Sequence, residues 1–185
     1  MAEIDDAIER ADREAFTRQP PKTLQARINF LMKQLKTTKA VAREIGVSQR
    51  SVERYRKGER KHPPKDIAER IDAAVRQRWQ PQVRRRRRKQ AATTTGITVE
   101  TRARFGYTAP IGTTDDGRLR RLTVHLPPTY AQRLFNARDT GADDQQMRQI
   151  IAEGLKEIYF QDRGTRATGL TDVTLNDIDY LDLDY

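Results

Sequence analysis

The segment APIGTTDDGR, residues 109–118, places two hydroxyls, Thr113 and Thr114, between Gly112 and the paired carboxylates Asp115 and Asp116. It has no apolar periodicity and separates two stretches that read as strands. Gly112 and Gly117 give it conformational freedom. A hydroxyl held out on such a loop is a candidate for chemistry, and the neighbouring acids could orient it. Equally, they could be ordinary turn residues, since Asp stabilises turns through bonds to its own backbone.

Other chemistries have no residues to support them. There is no nucleotide-binding glycine loop, no HExxH and no GxSxG. With no cysteine, disulfides and thiolate zinc sites are excluded, which fits a reducing cytosol. Two histidines, His62 and His125, are too few for an all-histidine zinc site. The chain therefore reads as a non-enzyme with no metal and no cofactor of its own. No apolar run approaches the roughly 18 residues of a membrane span, and the acidic N-terminus has no secretion signal.

The second informative constellation is TKAVAREIGVSQRSVERYRKG, residues 38–58. Ala42, Gly46, Val47, Val52 and Tyr55 match a helix-turn-helix. A small residue at Ala42 allows close helix crossing, and Gly46 takes the turn, where positive φ is cheapest. Ser48 is a good N-cap for the second helix and Gly58 a good stop. In this motif the second helix enters the major groove, so Ser48, Gln49, Arg50, Ser51 and Arg54 are the expected DNA-binding residues. The competing reading is a helical hairpin with a solvated face.

Charge supports a polyanion partner. Net charge is +10, with 25 Lys/Arg against 12 Asp/Glu in residues 1–90 and 11 against 14 in residues 91–185. Arg84, Arg85, Arg86, Arg87 and Arg88 form a run that repels itself and cannot fold alone. Phosphate binding is its expected role, because each neutralised phosphate releases counterions.

The positioning elements follow from periodicity. Ile4, Ala7, Ile8, Ala11 and Ala15 predict a first helix, ended by Pro20 and Pro21. A second helix starts near Thr23, and another covers roughly 64–79. Alternation from Ile97 to Tyr107 and from Leu122 to Leu126 predicts a hairpin around the opening segment. Two helices follow, the first marked by Tyr130, Leu134 and Phe135, the second opened by Asp143 or Asp144 with Met147, Ile150, Ile151, Leu155, Ile158 and Tyr159 on its face; Tyr130 and Tyr159, on apolar faces, are expected in the core. Strand, helix, turn and helix here also match a ribbon-helix-helix layout, with Arg121, Thr123 and His125 outward and a possible homodimer through the strand. The tail, residues 171–185, alternates aspartate with apolar residues. It could be an edge strand, a site for a basic partner, a cover for the chain's own arginines or a frayed end.

The chain as a whole resembles the telomere terminal proteins of linear Streptomyces chromosomes and plasmids. The helix-turn-helix at 38–58, the arginine run at 84–88 and the strands around APIGTTDDGR carry the resemblance, as an ordered combination at this length. It implies a protein that caps the 5′ ends of linear DNA and primes synthesis there by offering a side-chain hydroxyl to a DNA polymerase. A telomere-associated helper protein would recruit it to the single-stranded 3′ overhang. On that resemblance Thr114 is the nucleotide acceptor and Thr113 the next choice, with Tyr185 the most exposed of the competing tyrosines. Asp115 and Asp116 could then orient the hydroxyl or approach the polymerase's metal ions, with divalent metal such as Mg belonging to the polymerase. The expected location is the cytoplasm, with the nucleoid, at chromosome ends. The alternative is a dimeric helix-turn-helix regulator with no covalent chemistry.

The expected architecture is α+β: a helix-turn-helix domain over 1–80, an arginine-rich linker over 81–95, a hairpin-plus-helices domain over 96–162 and an acidic tail over 163–185.

Overall fold

Two hydrophobic cores organise the chain, and they do not divide it where the sequence suggests. A computed structural model describes residues 3–108 and 118–185. One compact unit is Phe16–Gln82; the other combines residues 1–15 with 83–185. The α+β class holds, with a three-stranded antiparallel sheet and helices that outnumber the strands. No helix among the described residues is long and apolar enough to cross a membrane.

The unit Phe16–Gln82 is all-helical. It contains α2 (Leu24–Leu35), α3 (Thr38–Ile45), α4 (Gln49–Lys57) and α5 (Lys65–Arg78). Its core is Ile28, Leu31, Val41, Ala42, Ile45, Val52, Tyr55, Ile67, Ile71, Ala74 and Val75. Fully burying one such side chain contributes roughly 1.5–3 kcal/mol. Its two chain ends are tied together: Thr17 N donates to Gln80 Oε1 at 3.0 Å, and Trp79 Nε1 donates to the Arg18 carbonyl at 3.0 Å. The ring of Trp79 meets Phe30 edge-on at 5.1 Å.

The other unit is built on the sheet, in the order β2-β1-β3, with β1 (Ile97–Thr108), β2 (Arg118–Leu126) and β3 (Asp172–Asp184). β1 pairs with β2 from Ile97↔Leu126 to Phe105↔Arg118, and with β3 from Thr98↔Asp184 to Thr108↔Asp172. Ile97, Val99, Ala103, Phe105, Leu122, Val124 and Leu126 turn to one buried face, as the alternation requires. The helices α1 (Glu3–Glu14), α7 (Pro128–Asp139) and α8 (Asp144–Leu155) complete that core together with Ala91 and with Val173, Leu175, Leu181 and Leu183 of β3. α8 opens with a full capping box between Asp143 and Gln146. It crosses β2 closely, because Gly154 leaves room: a Cβ there would lie 2.7 Å from Leu126 Cδ1.

Two expectations are corrected, and one open reading is decided. The first helix does not belong to a 1–80 domain: Ile4, Ala7, Ile8 and Ala11 pack into the sheet unit's core. The stretch 81–95, expected as a linker, is α6 (Pro81–Gln90) followed by one turn of π-helix at Ala91–Thr95. Among the open readings of the tail, the edge strand is the one found: β3 occupies Asp172–Asp184.

Candidate nucleic-acid interface

Local chemistry sets up the helix-turn-helix. α3 is capped by Thr37, whose Oγ1 accepts from Ala40 N at 3.1 Å, and ends at Gly46 with φ of 70°. Val47 N then donates to the Ala42 carbonyl at 2.9 Å, which closes the turn. Ser48 caps α4: its Oγ accepts from Ser51 N at 3.2 Å and lies 3.0 Å from Ser51 Oγ. Gly58, with φ of 77°, ends α4. Caps of this kind contribute about 1 kcal/mol each.

Val52 and Tyr55 fix the rotation of α4 by entering the core. That turns Arg50, Arg54 and Lys57, at i, i+4 and i+7, onto one exposed stripe, with Gln49 and Glu53 beside it. Arg50 has no ion-pair partner among the described residues. Arg54 and Lys57 share Glu59 loosely, at 3.9 and 4.0 Å. Such exposed pairs are worth little and exchange readily for phosphate. Ser48 and Ser51 stand at the same end of the helix, but their hydroxyls already serve the cap. Lys57 was missed by sequence reasoning, although its spacing from Arg50 and Arg54 is the signal. Also missed were Lys39 and Arg43, exposed one turn apart on α3, where a shallow hollow is lined by Leu35, Thr37, Lys39, Ala40, Arg43 and Glu44. Both cations lie on the first helix of the motif, the helix that in a DNA-bound helix-turn-helix crosses the backbone.

The arginine run separates into two sets. Arg84 and Arg88 point inward to α1: Arg84 Nη2 lies 3.6 Å from Glu9 Oε2 and its Nε 3.8 Å from Asp12 Oδ2, while Arg88 Nε donates to Asp12 Oδ1 at 3.2 Å. Asp12 is fully buried. Burial disfavours the Arg88 charge, but the Asp12 hydrogen bonds and charge more than offset it, leaving the Arg88 pKa above its ordinary value. Expected as DNA-binding residues, Arg84 and Arg88 are held in the protein instead. Arg85, Arg86 and Arg87 remain exposed.

The opening hydroxyls, Thr113 and Thr114, and the acids Asp115 and Asp116 lie outside the described residues. The segment they occupy joins β1 to β2. The tyrosines that compete with them are described. Tyr185 is not free at the terminus: its OH donates to Asp12 Oδ1 at 2.7 Å and its ring meets Phe135 at 5.1 Å. Burial, and then the Asp12 charge, push its phenol far above the usual range. The Tyr130 hydroxyl bonds Glu157, and burial followed by that bond raises its pKa to about 12. Tyr180 OH donates to Glu100 Oε1 at 3.1 Å, and its pKa is raised by desolvation and that bond. In each of these three the hydroxyl is already engaged by a carboxylate. Tyr159, expected in the core, is 38% exposed.

β2 carries Arg121, Thr123 and His125 outward as expected for the ribbon reading; it pairs with β1 of its own chain on one side and is an edge of the sheet on the other. β3 meets the arginines of β1 rather than the run on α6. Two bulge aspartates do this: Asp179 Oδ2 lies 3.2 Å from Arg102 Nε, and Asp177 Oδ2 3.5 Å from Arg104 Nε.

Among the described residues no group of three His, Asp or Glu side chains is placed to hold a metal ion. Comparison with protein-family models, curated proteins and solved structures finds no match.

Proposed function

We propose that this chain is a DNA-binding terminal protein: α4 reads duplex DNA at the end of a linear molecule, and Thr114 accepts the first nucleotide of a new strand. The observation that carries the DNA reading is the stripe Arg50, Arg54 and Lys57 on the exposed face of the second helix of a helix-turn-helix. The unit that holds it carries 17 Lys/Arg against 6 Asp/Glu, so non-specific attraction to phosphate adds to base contacts. Arginine matches the guanine edge, and Gln49 matches adenine.

The priming part rests on the resemblance to telomere terminal proteins and on the hydroxyl-bearing connection between β1 and β2. The reaction balances simply. The Thr114 oxygen attacks the α-phosphorus of a deoxynucleoside triphosphate, an O–P bond forms, pyrophosphate leaves and the hydroxyl proton is released. The polymerase supplies the metal ions and the catalysis. The hydroxyls of Tyr130, Tyr180 and Tyr185 are already engaged by Glu157, Glu100 and Asp12, which counts against these tyrosines as acceptors.

The DNA reading is tested by competition binding of full-length protein to telomeric and scrambled duplexes. Arg50→Ala should lose about 1–3 kcal/mol of discrimination. Equal loss on both duplexes would confine Arg50 to phosphate contact.

A further inference from the structure

The charge-bearing helix α6 has a property that the sequence does not show. Pro81 begins it with a preset φ, and arginine and glutamine are good helix formers, but adjacent like charges oppose it. Arg84 and Arg88 are one turn apart and therefore share a face, which Asp12 and Glu9 of α1 neutralise. That anchorage fixes the rotation of the helix. Arg86 is directed away from α1, Arg85 and Lys89 occupy one flank and Arg87 the other. All four are exposed.

On this unit most arginines outside the run are in ion pairs, although Arg13, Arg118, Arg120 and Arg163 have none among the described residues. Arg10 meets Asp182, Arg102 meets Asp179, Arg121 meets Glu100, Arg133 meets Glu153, and Arg148 meets Asp144 and Glu3. Outside residues 84–89 the unit has 13 Lys/Arg and 20 Asp/Glu. Carboxylates are therefore in excess, yet Arg85, Arg86 and Arg87 have no ion-pair partner among the described residues. The two arginines that meet α1 are neutralised; the three that do not are left to an external anion.

We propose that the outer face of α6 is a second DNA-contacting surface, on the sheet unit, which grips the phosphate backbone through Arg85, Arg86 and Arg87. It is separate from the base-reading helix α4 and carries no sequence information. Guanidinium forks suit this task because they bond phosphate oxygens two at a time. Arg84 and Arg88 set the face without touching DNA. The inference rests on the DNA-binding reading of the chain.

The test is the salt dependence of binding, measured by fluorescence anisotropy with full-length protein and a duplex of random sequence. The variant R85Q/R86Q/R87Q leaves the Asp12 contacts in place, and its melting temperature should match wild type. Its plot of log K against log[salt] should be shallower by about 2 to 3, from roughly 0.9 per lost contact on duplex DNA. R85K/R86K/R87K keeps the charges and should restore most of the slope. On single-stranded DNA the loss should shrink to roughly 0.7 per contact. A triple-glutamine slope equal to wild type, with the Arg50→Ala defect still present, would overturn the α6 surface and leave α4 standing. Wild-type protein with no affinity for any DNA would overturn both.

Discussion

Arg88 and Asp12, 76 positions apart in sequence, are joined by two hydrogen bonds, and Asp12 takes a third from the hydroxyl of Tyr185. One fully buried carboxylate thus ties the first helix, the arginine helix and the last residue together. A buried charge is tolerated only when it is paired and hydrogen-bonded. This contact explains why a run of five arginines is a helix and why the N-terminal segment belongs to the sheet unit.

Asp12→Ala should therefore be severe. It leaves the buried Arg84 and the partly buried Arg88 short of their carboxylate, a loss that typically costs about 3–5 kcal/mol. Urea unfolding should show it in the sheet unit. Loss below about 1 kcal/mol, well under the range for breaking a buried pair, would mean that solvent or Glu9 compensates.

Gly46→Ala should destabilise the helical unit alone. Its φ of 70° is a left-handed conformation, and a Cβ would also lie 2.3 Å from Arg70 Nη1. The backbone term alone is about 1–2 kcal/mol. The far end of Arg70 can move, so the cost should stay near that figure. Amide exchange should quicken in α2–α5 while β1–β3 keep their protection.

Alkaline stability should depend on Tyr130 and Tyr185. Both phenols have folded pKa values above their ordinary value of 10, Tyr130 at about 12. Their contribution is complete below pH 10, where the unfolded phenol is still neutral, and is lost as pH rises towards the folded values. The melting temperature should fall between pH 10 and 12 in wild type and fall less in Tyr130→Phe and Tyr185→Phe. An identical decline in all three would remove these phenols from the account.

Much of the fold is legible in local chemistry. Thr37, Gly46, Ser48 and Gly58 mark the ends of α3 and α4, and strand alternation marks β1 and β2. What failed is non-local. The apolar face of α1 does not say which core receives it. Asp12, one turn after Ile8 on that face, was the available signal that a cation would come to meet it. Tyr159 failed for another reason: the π-helical turn at Lys156–Phe160 shifts the register by a residue, so Phe160 packs on Phe105 and Tyr107 and Tyr159 turns outward. The tail's alternation of aspartate with apolar residues allows an edge strand among other readings, and its pairing with β1 decides between them.

The central claim is that a hydroxyl of this protein primes DNA synthesis. It is tested most directly by incubating wild type, Thr114→Ala and Thr114→Ser with a DNA polymerase, a single-stranded telomeric template and labelled deoxynucleoside triphosphates, then locating any adduct by mass spectrometry. Wild type should carry one nucleotide on Thr114, Thr114→Ser a reduced amount and Thr114→Ala none, with DNA binding unchanged in all three. Label on Thr114→Ala at the wild-type level would contradict the assignment to Thr114. Binding without transfer to wild type would contradict priming itself and leave a helix-turn-helix regulator.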